Sequence, residues 1–109
     1  MSYLSHKKIL GLIGLAARAR KVCFGADSVS LEMKKRKVFL VVIATDASDR
    51  TKEKFKKIGE EHNIPVMIEG EIEILSKAIG KSNKAIIGIE DSNLANEIQK
   101  IKNGGELIG

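Results

Sequence analysis

The sequence has few of the residues that build disulfides or metal centres. Cys23 is the one cysteine among 109 residues, so an intramolecular disulfide is excluded and the single thiol suits a reducing compartment. The two histidines, His6 and His62, show no metal-ligand spacing with this cysteine. We therefore expect no metal and no cofactor, and we assign no catalytic residue. We interpret both histidines as surface residues and Cys23 as a packed thiol.

Aromatic side chains and long apolar runs are also scarce. The aromatic residues are Tyr3, Phe24, Phe39 and Phe55, and there is no tryptophan. This small number argues against a sheet that stacks nucleic-acid bases on rows of exposed rings. The longest charge-free apolar run near the N-terminus covers residues 9–17, which is too short to span a bilayer, and no cleavage site follows it. We expect no membrane partner and a cytoplasmic location.

Positive charge is abundant and unevenly distributed along the chain. The net charge is +5. Residues 1–37 contain nine lysines and arginines against two acids, whereas residues 38–109 contain ten against twelve. The basic part surrounds Gly25, where the pattern predicts the start of a helix. A helix start presents unpaired N–H groups and a partial positive charge, so cations beside it predict an anion-binding surface, and nucleic acid is the largest common polyanion.

The apolar residues alternate between helical and strand spacing within what we interpret as one domain over residues 1–109. The predicted helices cover 4–18, 26–35, 49–61, 71–78 and a segment that begins at 91 or 92. The predicted strands cover 21–24, 38–44, 66–68 and 85–89. This alternation predicts an α/β fold, a three-layer α/β/α sandwich with a central mixed, mostly parallel four-stranded sheet.

Several polar groups in the predicted loops have an ordinary structural interpretation. Asp46 and Asp49 follow a central strand, where a phosphoacceptor or a magnesium ligand could lie, but helix capping is the interpretation we prefer. The sequence Gly-Lys-Ser at 80–82 resembles the end of a phosphate-binding loop. It lacks the earlier glycine, since position 75 is leucine, and it precedes a strand, so we reject that motif. We interpret the glutamates at 69, 71 and 73 as a solvated helix start.

Four motifs follow one another in a characteristic order. They are Lys-Val-Cys-Phe-Gly-Ala-Asp-Ser-Val at 21–29, Leu-Val-Val-Ile-Ala-Thr-Asp-Ala-Ser at 40–48, Asn-Ile-Pro-Val at 63–66 and Leu-Ser-Lys-Ala-Ile-Gly at 75–80. With the basic helix end between the first two, they resemble the ribosomal L7Ae family of kink-turn RNA-binding proteins over about residues 4–100. The Asp-Ala-Ser and Gly-Lys versions are most similar to the family's small bacterial branch, which is regarded as ribosome-associated.

The resemblance implies a non-catalytic protein that binds structured RNA. In the family, a helix start led by glycine enters the widened groove of a kinked RNA, and polar side chains there read guanines of sheared G·A pairs. By position, Gly25 begins that helix, Asp27 and Ser28 read bases, and Lys21 contacts the RNA backbone. The loop before the last strand covers an extruded nucleotide, and here it contains Gly80, Lys81, Ser82 and Asn83.

Cations outside these motif positions extend the candidate surface. Residues 34–37 are four consecutive cations, more than the one or two that a helix end needs, so we expect phosphate contacts there. We interpret 18–21 as strand-like, with Arg18 and Arg20 on one face and Lys21 on the other. The complete candidate RNA-binding set is Arg18, Arg20, Lys21, Gly25, Ala26, Asp27, Ser28, Lys34, Lys35, Lys37, Gly80, Lys81, Ser82, Asn83 and Lys84.

The sequence departs from the family pattern at the base-reading positions. Asp27 and Ser28 stand where kink-turn readers carry Asn-Glu or Lys-Gln, and Leu31 stands where they carry lysine. Asp27 accepts hydrogen bonds from base amino groups but cannot donate to guanine O6 or N7, and Leu31 cannot bind phosphate. The residues therefore predict general RNA affinity and leave kink-turn specificity open. The expected partner is ribosomal RNA, bound by a monomer; the alternative is a protein-interaction module of the same fold without a dedicated RNA target.

Overall fold

Helices and strands alternate along residues 3–104, the part of the chain that this computed structural model describes. The helices are α1 Tyr3–Arg18, α2 Ala26–Lys34, α3 Asp49–His62, α4 Ile72–Ala78 and α5 Ser92–Lys102. The strands are β1 Val22–Phe24, β2 Leu40–Ile43, β3 Val66–Ile68 and β4 Ile86–Ile89. Every predicted element is confirmed, with its observed ends within two residues of the predicted ones. None of these helices is both long and apolar enough to cross a membrane.

The four strands form one sheet in the order β1-β4-β2-β3. β2 and β3 are parallel, whereas β4 is antiparallel to both of its neighbours. The predicted mixed sheet is confirmed, but the expectation that it is mostly parallel is wrong. The reason lies at the end of β2, where Ile43 pairs with Ile68 on one side and with Ile86 on the other. The chain therefore leaves β3 and enters β4 at the same end of the sheet, and β4 must run in the opposite direction.

The core lies on the two faces of this sheet, and all residues of β2 and β4 are buried. α1 packs with α4 and α5, and α2 packs with α3, which gives the three predicted layers. Each helix contributes apolar residues one turn apart, such as Ile9 and Ile13 of α1 and Val29 and Met33 of α2, all fully buried. Each such side chain stabilises the fold by about 1.5–3 kcal/mol through burial.

Polar side chains at the loop ends cap the helices. The capping predicted for Asp49 is provided by Ser48, because Asp49 is already the first residue of α3. Ser48 Oγ accepts a hydrogen bond from the Thr51 amide at 3.1 Å, and Asp91 caps α5 in the same way. Asp46 acts over a longer distance: its carboxylate accepts from the Ile72 amide at 2.8 Å and caps the start of α4. This contact ties the end of β2 to α4, because the two residues are 26 positions apart in the chain.

A buried ion-pair cluster contradicts two of the predictions. Glu69 is only 4% exposed, and its carboxylate contacts His6 of α1 and, at 2.8 Å, the Lys102 ammonium of α5. Glu69 is therefore not part of a solvated acidic stretch, and His6 is half-buried in a contact instead of being a free surface residue. Burial raises the pKa of Glu69, but the hydrogen bonds from His6 and Lys102 outweigh it and hold that pKa below its ordinary value.

Candidate nucleic-acid interface

Gly25 turns the chain from β1 into α2 at the surface. Its backbone has φ 87° and ψ 151°, a conformation that is open to glycine and strained for other residues. Its amide donates to the Ile86 carbonyl at 3.0 Å, and its carbonyl accepts the first helical hydrogen bond, from Val29. A Cβ built at Gly25 would meet no atom within 4 Å, so the space beside the turn is open to a ligand.

The start of α2 offers unpaired amides to that open space. The N–H groups of Ala26, Asp27 and Ser28 precede the first helical hydrogen bond, and no side chain caps them. Asp27 and Ser28 are exposed, and Ala26 lies at the surface beside them. Together with the positive end of the helix dipole, these amides can hold a phosphate or a base carbonyl. Ser28 adds a group that both donates and accepts, and Asp27 adds an acceptor.

The loop at 80–84 lies next to this helix start. The ammonium groups of Lys81 and Lys84 are each 5.3 Å from the centre of the Phe24 ring, and Phe24 directly precedes Gly25. The buried hydroxyl of Ser76 fixes the base of the loop, since it accepts from the Lys84 amide at 2.7 Å and donates to the Lys84 carbonyl. The structure therefore brings together Gly25, Ala26, Asp27 and Ser28 with Gly80, Lys81, Ser82, Asn83 and Lys84.

Sequence reasoning missed the two residues that hold this arrangement. Phe24 was one of four scattered aromatics, and nothing in its spacing showed that two lysines 57 and 60 positions later would lie against its ring. Ser76 was part of the motif at 75–80, but that motif did not show what its hydroxyl does. Its only signal is that it is a small polar residue on the buried side of α4, next to the buried Leu75.

The remaining predicted cations lie at the other end of α2. Lys34 ends the helix, Lys35 follows it, and both are exposed. With nine residues and a rise of 1.5 Å per residue, α2 separates them from Gly25 by about 13 Å. Arg20, Lys21 and Lys37 lie near this end and line a shared hollow. Apart from Arg18, the predicted set thus forms two groups, one at each end of α2, with the exposed Leu31 between them.

Arg18 belongs to neither group. The interpretation of 18–21 as a strand-like segment is wrong, because Arg18 is the last residue of α1 and Arg20 adopts a left-handed turn with φ 59°. The Arg18 guanidinium lies beside Gly14, one turn back along α1, and shares a groove with Lys77 of α4. Arg18 and Arg20 therefore do not share a face.

The cations of both groups form no close ion pair in the part of the chain that the structure describes, although Lys21 and Lys37 are attracted to the nearby Glu90 carboxylate. Within residues 3–104, the ion pairs join His6 and Lys102 to Glu69 and Lys100 to Glu97, so none uses a cation of the predicted set. Glu90 lines the same hollow as the second group, and its burial together with the nearby Glu32 raises its pKa.

Cys23 takes no part in either group. Its sulfur lies 3.9 Å from the Gly88 carbonyl oxygen, in a gap that a side chain at Gly88 would fill. Burial, with Glu90 and Glu32 nearby, raises the pKa of Cys23 to about 12. The thiol is therefore protonated at neutral pH and packs as a small apolar group, as the sequence predicted.

Comparisons with known proteins show the family to which the chain belongs. The model of the "Ribosomal protein L7Ae/L30e/S12e/Gadd45 family" matches residues 7–99. The chain belongs to this family. The resemblance found in the sequence is thereby confirmed, and the helix start at Gly25 and the 80–84 loop both lie within the matched L7Ae-family region.

Two bacterial relatives carry the name "RNA-binding protein YlxQ". The one from Bacillus subtilis (strain 168) is 32% identical over 87 residues, which cover 80% of this chain and 87% of the relative. The one from Enterococcus faecium is 33% identical over 101 residues, which cover 92% and 96%. Both therefore match most of their own length to this L7Ae-family chain.

Solved structures show the same fold. A protein with unknown function from Bacillus halodurans C has a TM-score of 0.85 and 33% identity, covering 88% of this chain and 97% of its own. The Giardia lamblia 15.5kD RNA binding protein has a TM-score of 0.79 at 21% identity, covering 100% and 93%. At that low identity the second likeness shows only that the L7Ae-family fold is shared.

Proposed function

We propose that this chain is a non-catalytic RNA-binding protein that holds structured RNA between the start of α2 and the 80–84 loop. One observation carries the proposal: the uncapped amides that follow Gly25 lie next to Lys81 and Lys84, two cations that no carboxylate neutralises among residues 3–104. The names of the bacterial relatives support RNA as the anion.

The two sides of this interface have different tasks. Lys81, Lys84 and the amides of the first turn of α2 bind phosphate oxygens, which supplies affinity without sequence preference. Asp27 and Ser28 stand at the edge of the same surface, where Asp27 accepts hydrogen bonds from base amino groups. Because a carboxylate repels phosphate, Asp27 also keeps the RNA backbone on the side of the lysines.

The finer part of the proposal concerns the kind of RNA. A kink-turn-like RNA fits because its bend opens a groove in which a helix start and a loop can both reach the nucleic acid. Membership of the L7Ae family supports ribosomal RNA as the source, and we propose a cytoplasmic, ribosome-associated monomer that acts as one RNA-binding domain.

Binding affinity measured against salt concentration tests both the RNA binding and the preference for a kink-turn. The wild-type protein is titrated with a kink-turn RNA and with a plain duplex of equal length at several salt concentrations. The variant Lys81→Ala/Lys84→Ala should reduce the log–log salt slope by about 1.4–1.8, since each lost phosphate contact changes it by about 0.7–0.9. Lys56→Ala/Lys57→Ala on α3 removes the same charge from exposed positions elsewhere and serves as the control.

The possible outcomes distinguish RNA binding in general from recognition of a kink-turn. Absent or salt-independent binding to both RNAs would contradict RNA binding and favour the protein-interaction module. Equal affinity for the kink-turn and the duplex would contradict kink-turn recognition and leave electrostatic binding. An equal loss in the two lysine variants would contradict the location of the interface.

A further inference from the structure

The hollow at the far end of α2 is built where three strand ends meet. β1 and β2 begin there and β4 ends there, since Ile89 pairs with both Val22 and Leu40. The residues that line it are Arg20, Lys21, Arg36, Lys37, Phe39 and Glu90. It lies at the end of the sheet opposite to Gly25 and the 80–84 loop, so it is a separate surface.

The two arginines of this hollow occupy positions that normally take glycine. Arg20 has φ 59° and Arg36 has φ 62°. Each follows a helix as the left-handed residue of a Schellman motif: the amide of Arg20 donates to Ala17 and that of Lys21 to Ala16. The same pattern ends α2, where the amide of Arg36 donates to Met33 and that of Lys37 to the carbonyl of Glu32.

The other helices show what the backbone alone would favour. Among residues 3–104, the left-handed residues that end α3, α4 and α5 are Asn63, Gly80 and Gly104. Glycine and asparagine adopt this conformation with least strain, and arginine does not. The strained positions are thus occupied by arginine in two cases, and both arginines line the same hollow. Backbone conformation alone does not favour arginine at these positions; a cation suits a helix end, and both side chains also line the hollow.

Phe39 identifies what kind of anion the hollow fits. The residue is 43% exposed, although its neighbours Val38 and Leu40 are buried. Its backbone is fixed, since its amide donates to the Ile89 carbonyl at 2.8 Å. An exposed ring on a hydrogen-bonded backbone, in a hollow that four cations and one carboxylate also line, combines a stacking surface with phosphate ligands, and a nucleotide needs both. Simple phosphate or an acidic peptide would leave the ring unused.

We propose that this hollow binds an unpaired nucleotide of the RNA, stacked on Phe39 and held through its phosphates by Arg20, Arg36, Lys21 and Lys37. The inference rests on the proposed RNA binding and adds a second contact to it, about 13 Å along α2 from the first. An RNA that fills both places runs along the exposed face of α2, past Leu31.

Fluorescence tests the stacking directly, because the chain contains no tryptophan. Phe39→Trp places the only indole at the proposed site, and Tyr3→Trp places it on an exposed part of α1. Hexauridylate should quench the indole of the Phe39→Trp variant and leave that of the Tyr3→Trp variant unchanged. Inorganic polyphosphate and polyaspartate supply charge without bases and should not quench either indole. Equal quenching of the Phe39→Trp variant by either of them would overturn the assignment to a nucleotide.

A second variant separates binding from folding. Arg20→Gly/Arg36→Gly, made in the Phe39→Trp protein, should weaken hexauridylate binding about tenfold and leave the midpoint of urea unfolding unchanged or raised. Asn63→Gly makes a similar backbone change at the end of α3 without loss of charge, and should not alter binding. Unchanged affinity in the double variant would overturn the inference.

Different results would contradict the second RNA contact and the proposed RNA binding itself. If the wild-type protein binds the kink-turn RNA but the indole of the Phe39→Trp variant is not quenched, the second contact is wrong and the first stands. If the wild-type protein binds no RNA at all, the proposed function is wrong and this inference falls with it.

Discussion

The ammonium group of Lys84 lies 5.3 Å from the centre of the Phe24 ring, and this contact joins the 80–84 loop to the end of β1. Lys81 lies at the same distance from the same ring. The ring therefore holds two cations beside the turn at Gly25, where the first amides of α2 are uncapped. The contact assembles the candidate interface from parts of the chain that are far apart in sequence.

Replacing that ring should loosen the loop without removing a charge. Phe24→Leu removes two cation–π contacts of about 0.5–1 kcal/mol each but keeps an apolar side chain at the position. We expect the free energy of unfolding to fall by about 1 kcal/mol and RNA affinity to fall several-fold, measured by urea unfolding and by RNA titration. Phe24→Tyr, which keeps the ring, is the control, and equal affinity in the two variants would show that the ring does not organise the loop.

Gly25→Ala tests the backbone of the turn. At φ 87° and ψ 151° a Cβ is strained even though the space around it is empty, so the variant should be destabilised by about 1–3 kcal/mol. Gly11→Ala is the matched control, because Gly11 lies inside α1 with nothing within 4 Å of a new Cβ. That variant should gain about 0.5–1 kcal/mol. Similar thermal midpoints for the two variants would contradict the strain at Gly25.

Acid should weaken the fold through Glu69. The pKa of this carboxyl is lower in the folded chain than its ordinary value of 4.5, so the unfolded chain binds the proton more readily. The stabilisation is complete above the ordinary pKa and is lost as the pH falls through the folded one. Glu69→Gln should lower the free energy of unfolding at pH 7 by about 1–3 kcal/mol and flatten its dependence below about pH 5.

The exposed Glu97 provides the comparison for that experiment. Its carboxylate is 4.0 Å from the Lys100 ammonium, and both side chains are well exposed. Glu97→Gln should therefore change the free energy of unfolding by less than about 0.5 kcal/mol and retain the acid dependence. If Glu69→Gln kept the wild-type profile in urea unfolding between neutral and acidic pH, the stabilising role of the cluster would be wrong.

Thiol chemistry distinguishes the packed Cys23 from an exposed position. With a pKa raised to about 12, Cys23 should react with a disulfide reagent at mildly alkaline pH far more slowly in the native protein than in urea.

Ser28→Cys in a Cys23→Ala background places a thiol at the exposed start of α2, where the dipole favours thiolate, and should react rapidly. Bound RNA should slow that reaction, and an unaltered rate at saturating RNA would place the RNA elsewhere.

The sequence predicted the elements well because their signals are local. The continuous apolar run at 38–44, the Gly25 turn and the capping residues Ser48 and Asp91 each act within a few positions. What it missed depends on contacts between distant segments. The antiparallel placement of β4 depends on the end at which the chain re-enters the sheet, and the pairing of His6 with Glu69 joins residues 63 positions apart.

The candidate site was predicted in part for the same reason. Gly25 and the 80–84 loop follow from motif order, but their contact through Phe24 is a tertiary feature. α2 separates Lys37 from Gly25, and β1 separates Lys21 from it. Charge along the sequence does not show that both lysines then lie at the same end of the sheet. Arg20 was assigned to a strand-like segment and Arg36 to a run of four cations. Neither pattern predicts the left-handed conformation of these residues, because the usual residue there is glycine.

The pairing of Phe24 with Ile87 in the sheet has a mechanical consequence. The two sides of the candidate interface adjoin neighbouring, hydrogen-bonded strands, so their bases cannot move apart without breaking the sheet. A partner that binds between the start of α2 and the 80–84 loop therefore meets a surface of fixed shape. An RNA bound as proposed therefore has to bend to fit, and we expect RNAs that kink at a low free-energy cost to bind more tightly than stiff ones.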